Sequence, residues 1–178
     1  MPFESALAKS SNMKMFRHIR SGLDSANLEL GRERGEAPDA QGTGLRCSHV
    51  MAIAPNASSS IIMGNTSPSI EPWRANAYRQ DPLSGSFLNK NKFLDNLIKD
   101  KCEDNVNLHY DRVWSSIIAN DGSVQHLRCL NDQEKEIYKT SMEIDQRWVI
   151  EHAADRQEYI DQSQSLNVFF RPDANITY

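Results

Sequence analysis

The residues best suited to chemistry stand together at Pro55-Asn56-Ala57-Ser58-Ser59-Ser60. A short apolar run, Val50-Met51-Ala52-Ile53-Ala54, leads into the proline, and three consecutive hydroxyls follow. A second apolar step, Ile61-Ile62-Met63, precedes a turn at Gly64-Asn65. A buried strand, a polar loop sized for a phosphate and a short helix start are spelled this way. A helix beginning near Ser58 leaves backbone N–H groups without intrahelical partners and sets the positive helix end behind them, which suits an anion. Each favourable charge at such a terminus is worth about 0.3–2 kcal/mol, so several N–H groups and hydroxyls must act together. The same serines also suit a plain helix cap, and both readings fit the residues.

Other reactive residue types are less well placed. Glu143 and Asp145 lie two apart on an expected helix, so they do not share a face and read as solvated charge rather than a general acid/base pair. His49, His109, His126 and His152 show no ligand spacing with carboxylates or thiols. Trp73, Trp114 and Trp148 read as packing residues. Cys47, Cys102 and Cys129 are odd in number and far apart, as expected of free thiols in a reducing cytoplasm, and no metal site is expected.

Positioning these residues falls to a chain of 178 residues, enough for one compact domain or a piece of a larger one. Twenty Lys and Arg against 24 Asp and Glu give a net charge of −4, which argues against a general nucleic-acid binder. No run is long enough to span a membrane, and the start Met1-Pro2-Phe3-Glu4 lacks the basic and apolar regions of a signal peptide. A cytoplasmic protein without membrane or nucleic-acid partners is the expectation.

Periodicity predicts a helix over 11–34, with Met15, Ile19, Leu23, Ala26 and Leu30 on one face, and a loop over 36–44. A strand is expected at 48–54, a turn at Asp81-Pro82 and Ser84-Gly85, and a short strand edge at Ser86-Phe87-Leu88. Two further helices are predicted, Lys90 to Lys101 with Phe93, Leu94, Leu97 and Ile98 inward, and Tyr110 to Ala119 with Val113, Trp114, Ile117 and Ile118 inward. Asn120-Asp121-Gly122 ends the second. Asn131 and Glu134 spell a capping box that opens the longest predicted helix, running to about Ala154, with Ile137, Tyr138, Ser141, Met142, Asp145, Trp148, Val149 and His152 inward. Ser165 to Phe170 reads as a buried strand, and Arg171 to Asn175 as a turn. Strands alternating with helices point to an α/β fold.

The spelling of the loop carries a resemblance. Ala54-Pro55-Asn56-Ala57-Ser58-Ser59-Ser60, then Gly64-Asn65 and Ser69-Ile70-Glu71-Pro72, resembles the substrate-phosphate loop of the large (alpha) subunit of class I ribonucleotide reductase. Leu83-Ser84-Gly85-Ser86-Phe87, Asp121-Gly122-Ser123-Val124-Gln125, Tyr138-Lys139-Thr140 and Ile160-Asp161-Gln162-Ser163-Gln164-Ser165-Leu166-Asn167 look like downstream segments of the same family, in order. The likeness covers nearly the whole chain from Gly44 onward, and the first helix is compatible with it. It implies an α/β fold that is a partial segment of a ten-stranded α/β barrel, helix-rich with a few strands. On that reading 1–178 is a single piece of the C-terminal half of the barrel: 1–44 is a leading helix and loop, and 45–178 holds the phosphate loop, helices and last strand.

The resemblance implies reduction of ribonucleotides to deoxyribonucleotides by a thiyl radical, with Pro55, Asn56, Ala57, Ser58 and Ser59 holding the phosphates of a ribonucleoside diphosphate. Asn56 stands where the family often has a hydroxyl residue, and Ala57 offers only its N–H. No Asn-x-Cys-x-Glu pattern occurs, and the three cysteines match no family cysteine, so no catalytic residue is assigned. The family's radical cysteine and redox pair belong upstream of Met1, and its tyrosine pair and thiol tail beyond Tyr178. This chain would therefore need the remaining alpha-subunit segments, a radical-generating small (beta) subunit and a dithiol reductant, with nucleotide effectors bound elsewhere. No cofactor is expected in this chain itself. A split gene or a truncated reading frame is the expectation for such a piece. A separate phosphate-binding or regulatory module, and a remnant without function, are the other readings.

Overall fold

A computed structural model of the chain describes residues 1–64, 66–80 and 87–170. In chain order the described elements are α1 (Ala6–Arg34), α2 (Ala57–Ile62), β1 (Ala77–Gln80), β2 (Phe87–Lys90), α3 (Lys92–Asp104), α4 (Tyr110–Ala119), α5 (Asp132–Ile137) and α6 (Gln146–Gln157). The chain divides into two compact units, one of Ser5–Ala54 with Arg147–Ser165, the other of Met1–Glu4, Pro55–Gln146 and the segment from Leu166 onward. The expected turns at 81–85 and 171–175, and Ser86, lie outside the described residues.

In the unit built on α1, Ser5 caps the helix, its hydroxyl accepting from the Ala8 N–H at 3.1 Å. The helix begins five residues earlier than the periodicity predicts. Its packed face is also displaced by one residue: Phe16, Asn27 and Gly31 are buried, whereas Met15 is 54% and Ile19 42% exposed. The cause is that around Asn27 and Gly31 this helix packs on the backbone of the 44–47 loop rather than on apolar side chains. The Asn27 amide donates to the Cys47 carbonyl at 2.8 Å and accepts from the Cys47 N–H at 2.7 Å. Gly31 lies so close to the loop that a Cβ there would sit 2.0 Å from the Gly44 carbonyl oxygen. An apolar count cannot see a face chosen by an amide and a missing side chain.

The strand expected at 48–54 is reduced to an isolated parallel bridge between Ile53 and Gln164. Three bonds support it: Gln162 N–H to Met51 O (3.2 Å), Ile53 N–H to Ser163 O (3.2 Å) and Ser165 N–H to Ile53 O (2.9 Å). Asp161 latches the same pairing, accepting from the Met51 N–H at 3.0 Å and the Val50 N–H at 3.1 Å, with Arg20 Nη1 at 3.3 Å. Burial pushes its carboxyl up, but the two N–H groups and Arg20 together outweigh that and hold it below the usual aspartate value.

In the other unit β1 and β2 form an antiparallel pair, Ala77 opposite Lys90 and Gln80 opposite Phe87. Ala77 joins Leu94 and Ile98 of α3, Val113, Trp114 and Ile117 of α4, and Val124, Leu127 and Leu130 in one core. Helix α3 starts two residues later than expected because the Asn91 side chain caps it, accepting from the Phe93 N–H at 3.1 Å. Phe93 and Ile118, expected inward, are exposed at the edges of their helical stripes. Helix α4 has the bounds and inward residues Val113, Trp114 and Ile117 that its periodicity predicts. It ends where Asp121 (φ 54°) and Gly122 (φ 80°) turn left-handed, and a Cβ on Gly122 would meet the Cβ of Ala75 at 2.5 Å.

The longest predicted helix is two helices. The capping box at Asn131 and Glu134 forms, but α5 stops at Ile137 and α6 begins only at Gln146. In a continuous helix the N–H groups of Thr140 and Ser141 would donate to Glu136 and Ile137. Instead Thr140 donates to the Glu143 carboxylate at 2.8 Å, and Ser141 to the Trp73 carbonyl at 2.8 Å. Of the predicted stripe Ser141, Val149 and His152 are buried, while Ile137 is exposed. The buried strand expected at 165–170 is absent: these residues have no regular structure, and Phe170 is 61% exposed.

Candidate functional site

The polar loop has the form the residues imply, one position earlier. The Asn56 carbonyl accepts from the Ser60 N–H at 2.9 Å, the first intrahelical bond of α2, so Asn56 stands at the N-cap and Ala57 is the first helical residue. The N–H groups of Ala57, Ser58 and Ser59 precede that bond and have no intrahelical acceptor. The Asn56 N–H donates to the Pro68 carbonyl at 2.8 Å, and Pro55 has none to offer. Of the five residues expected to hold phosphate, three therefore carry a backbone N–H that no carbonyl within the helix takes. Pro55, Asn56, Ser58 and Ser59 are exposed to solvent.

Ser60, the third hydroxyl, turns the other way. It is buried, and its carbonyl accepts from the Thr66 N–H at 3.1 Å. Both ends of α2 are thus bonded to the turn over 66–71. Within that turn the Ser67 hydroxyl donates to the Glu71 carbonyl at 3.2 Å and accepts from the Ser69 N–H at 3.3 Å. The Glu71 carboxylate is buried and takes a very short hydrogen bond from the Asn167 amide, which also reaches the Ser69 hydroxyl at 3.4 Å. At the far end of α2, Lys92 Nζ donates to the Gly64 carbonyl at 3.0 Å.

The remaining candidates are structural in their contacts. Glu143 accepts from the Thr140 N–H and hydroxyl and, at 2.5 Å, from the Ser123 hydroxyl, so it pins a turn. It borders a cleft of about 870 Å³ with Arg74, Asp121 and His126, to which no residue of the polar loop contributes. His126 Nε2 lies 2.7 Å from the Ser116 hydroxyl, and His152 is buried with its ring 5.9 Å from that of Trp148. Trp114 is buried in the core, and Trp73 packs edge-on against Tyr78 at 5.7 Å. The cysteines are free, Cys47 exposed and the other two partly buried, where burial raises both thiols above their ordinary value. Sequence reasoning did not single out Glu71 and Asn167 as partners. Both lie inside quoted motifs, but a contact across 96 residues leaves no local signal.

Fold and loop together define an α/β protein of helix-rich, strand-poor build that offers three unpaired-in-helix N–H groups beside two exposed serines. Residues 37–178 match the model of the ribonucleotide reductase barrel domain. The chain is 57% identical over 173 residues to the ribonucleoside-diphosphate reductase large subunit of Invertebrate iridescent virus 6, covering 96% of this chain and 18% of that protein. It is 42% identical over 177 residues to the putative large subunit of Frog virus 3 (isolate Goorha), covering 99% and 30%. The solved Actinobacillus ureae class Id ribonucleotide reductase alpha subunit is similar over 98% of this chain and 31% of that one, at 41% identity and a TM-score of 0.86. The chain belongs to the ribonucleotide reductase barrel-domain family, and it spans less than one third of the length of each of these relatives. Its fold is accordingly part of an α/β barrel.

Proposed function

We propose that this chain contributes the substrate-phosphate loop to a ribonucleoside-diphosphate reductase large subunit, in the service of deoxyribonucleotide synthesis in the cytoplasm. The N–H groups of Ala57, Ser58 and Ser59 and the hydroxyls of Ser58 and Ser59 hold the diphosphate. Pro55 and Asn56 shape the approach to it, with the Asn56 N–H occupied by Pro68. The observation that carries this reading is the first turn of α2, whose three N–H groups precede the first intrahelical bond and so have no acceptor within the helix.

Magnitudes define how much the loop does. Hydrogen bonds to a charged group are worth about 1.5–3 kcal/mol each, so five donors offer roughly 10 kcal/mol gross. Association costs about 4–15 kcal/mol, so the loop alone grips weakly and needs contacts to ribose and base from other segments. Fixing the substrate speeds a reaction only when the reacting group is also held in place. The thiyl cysteine, the radical-generating small subunit, the dithiol reductant and the effector sites are supplied from outside this chain.

The test is reconstitution. The chain is mixed with the remaining large-subunit segments, a small subunit and a dithiol, and deoxynucleotide is measured. Product from the complete mixture and none without this chain is expected. A complete mixture that makes no product overturns the proposal.

A further inference from the structure

Helix α2 has only six residues, well below the roughly 12–15 at which a helix begins to hold its shape alone. The placement of its donors is therefore set from outside, by Asn56 bonded to Pro68 at one end and Ser60 bonded to Thr66 at the other. Both outside groups belong to the 66–71 turn. That turn ends on Glu71, which is 4% exposed, and one carboxylate oxygen takes the Asn167 amide. The other, Oε2, is buried and has no hydrogen-bond partner among the described residues. A buried carboxylate with half its acceptor capacity unused is costly to keep, and such a group asks for an explanation.

We infer that Glu71, clasped by Asn167, is a positioning residue for the phosphate loop: the clasp fixes the 66–71 turn, and the turn fixes the three N–H donors of α2. The inference rests on the phosphate-binding reading for its functional consequence, but not for its structural one. Glu71 touches no substrate. It acts through Pro68, Asn56, Thr66 and Ser60. Asn167 is the clasp's sole side-chain donor to the carboxylate among the described residues, so losing either partner frees the turn equally.

The experiment uses the full chain, with amide hydrogen exchange read residue by residue and inorganic pyrophosphate titrated onto it. In Glu71→Ala and in Asn167→Ala the Asn56 and Thr66 amides should exchange at least ~10-fold faster, while amides of α3 and α4 keep wild-type protection. Glu71→Gln keeps an acceptor for Asn167 and should restore protection. Pyrophosphate-induced shifts of the Ser58 and Ser59 amides should need roughly 5-fold or more extra ligand in the alanine variants. Unchanged exchange at Asn56 and Thr66 in both alanine variants overturns the inference, whether or not pyrophosphate binds. Faster exchange there in a chain whose wild type shows no pyrophosphate shifts upholds the clasp and instead defeats the phosphate-loop reading.

Discussion

At the scale of single residues, the proposed loop offers three backbone N–H groups and two hydroxyls. Ala57 is the first helical residue, where proline is tolerated because its φ suits the helix and its missing N–H had no partner inside it. Ala57→Pro should thus delete one proposed phosphate donor and little else, weakening pyrophosphate binding by about 10-fold with the circular dichroism spectrum unchanged. Tyr110 shows a residue tuned by its surroundings. Its hydroxyl donates to Asp95 at 2.5 Å and accepts from Lys90 at 3.1 Å. Burial, then the bond to Asp95, pushes its pKa up to about 12. Because the folded value is raised, this contribution to stability is whole below about pH 10 and is lost as pH rises from there through about 12. Tyr110→Phe should cost about 1–2 kcal/mol near neutrality, and urea titrations should show the gap to wild type closing across that range.

At the scale of elements, short pieces are held by what they are bonded to. The 51–53 and 162–165 segments pair through a few bonds, and the Asp161 carboxylate accepts two more, from the Val50 and Met51 N–H groups. The folded Asp161 value is depressed, so its stabilisation is present above about pH 4, the ordinary aspartate value, and is lost as pH falls through the lower folded value. Asp161→Asn should lower stability at pH 7 by about 1–2 kcal/mol, with the difference vanishing in acid, as denaturant titrations at each pH will show. If the difference persists undiminished well below pH 4, the latch is not ionic.

At the scale of the whole molecule, apolar side chains stand on the surface beside the proposed site. Ile62 is 85% and Met63 74% exposed, and Phe93 is exposed as well. The relatives are more than three times as long as the stretch matched, so other segments are available to cover such residues in them. For this chain by itself, exposed apolar clusters favour self-association. Changing Ile62 and Met63 together to serine should shift unfolding stability by less than about 1 kcal/mol, since neither is buried, yet lower the association seen by sedimentation. Among the described residues no helix is long and apolar enough to cross a membrane.

What the sequence determined by itself is local or spelled out in runs. The bounds of α4, the capping box at Asn131, the glycine turn at 121–122 and the helix start after Pro55 follow from side chains within four positions of one another. The family could be read from ordered motifs because each motif is contiguous. Tertiary structure decided the rest, wherever a backbone group chose a distant partner over a near one. Trp73 and Glu143 capture the N–H groups that would have joined α5 to α6, and Asn27 with Gly31 turns α1 away from its apolar stripe. The loop of Pro55 to Ser60 shows both at once. Its neighbours spell a short helix, but only the fold brings Asn167 onto Glu71, in the turn to which that helix is bonded.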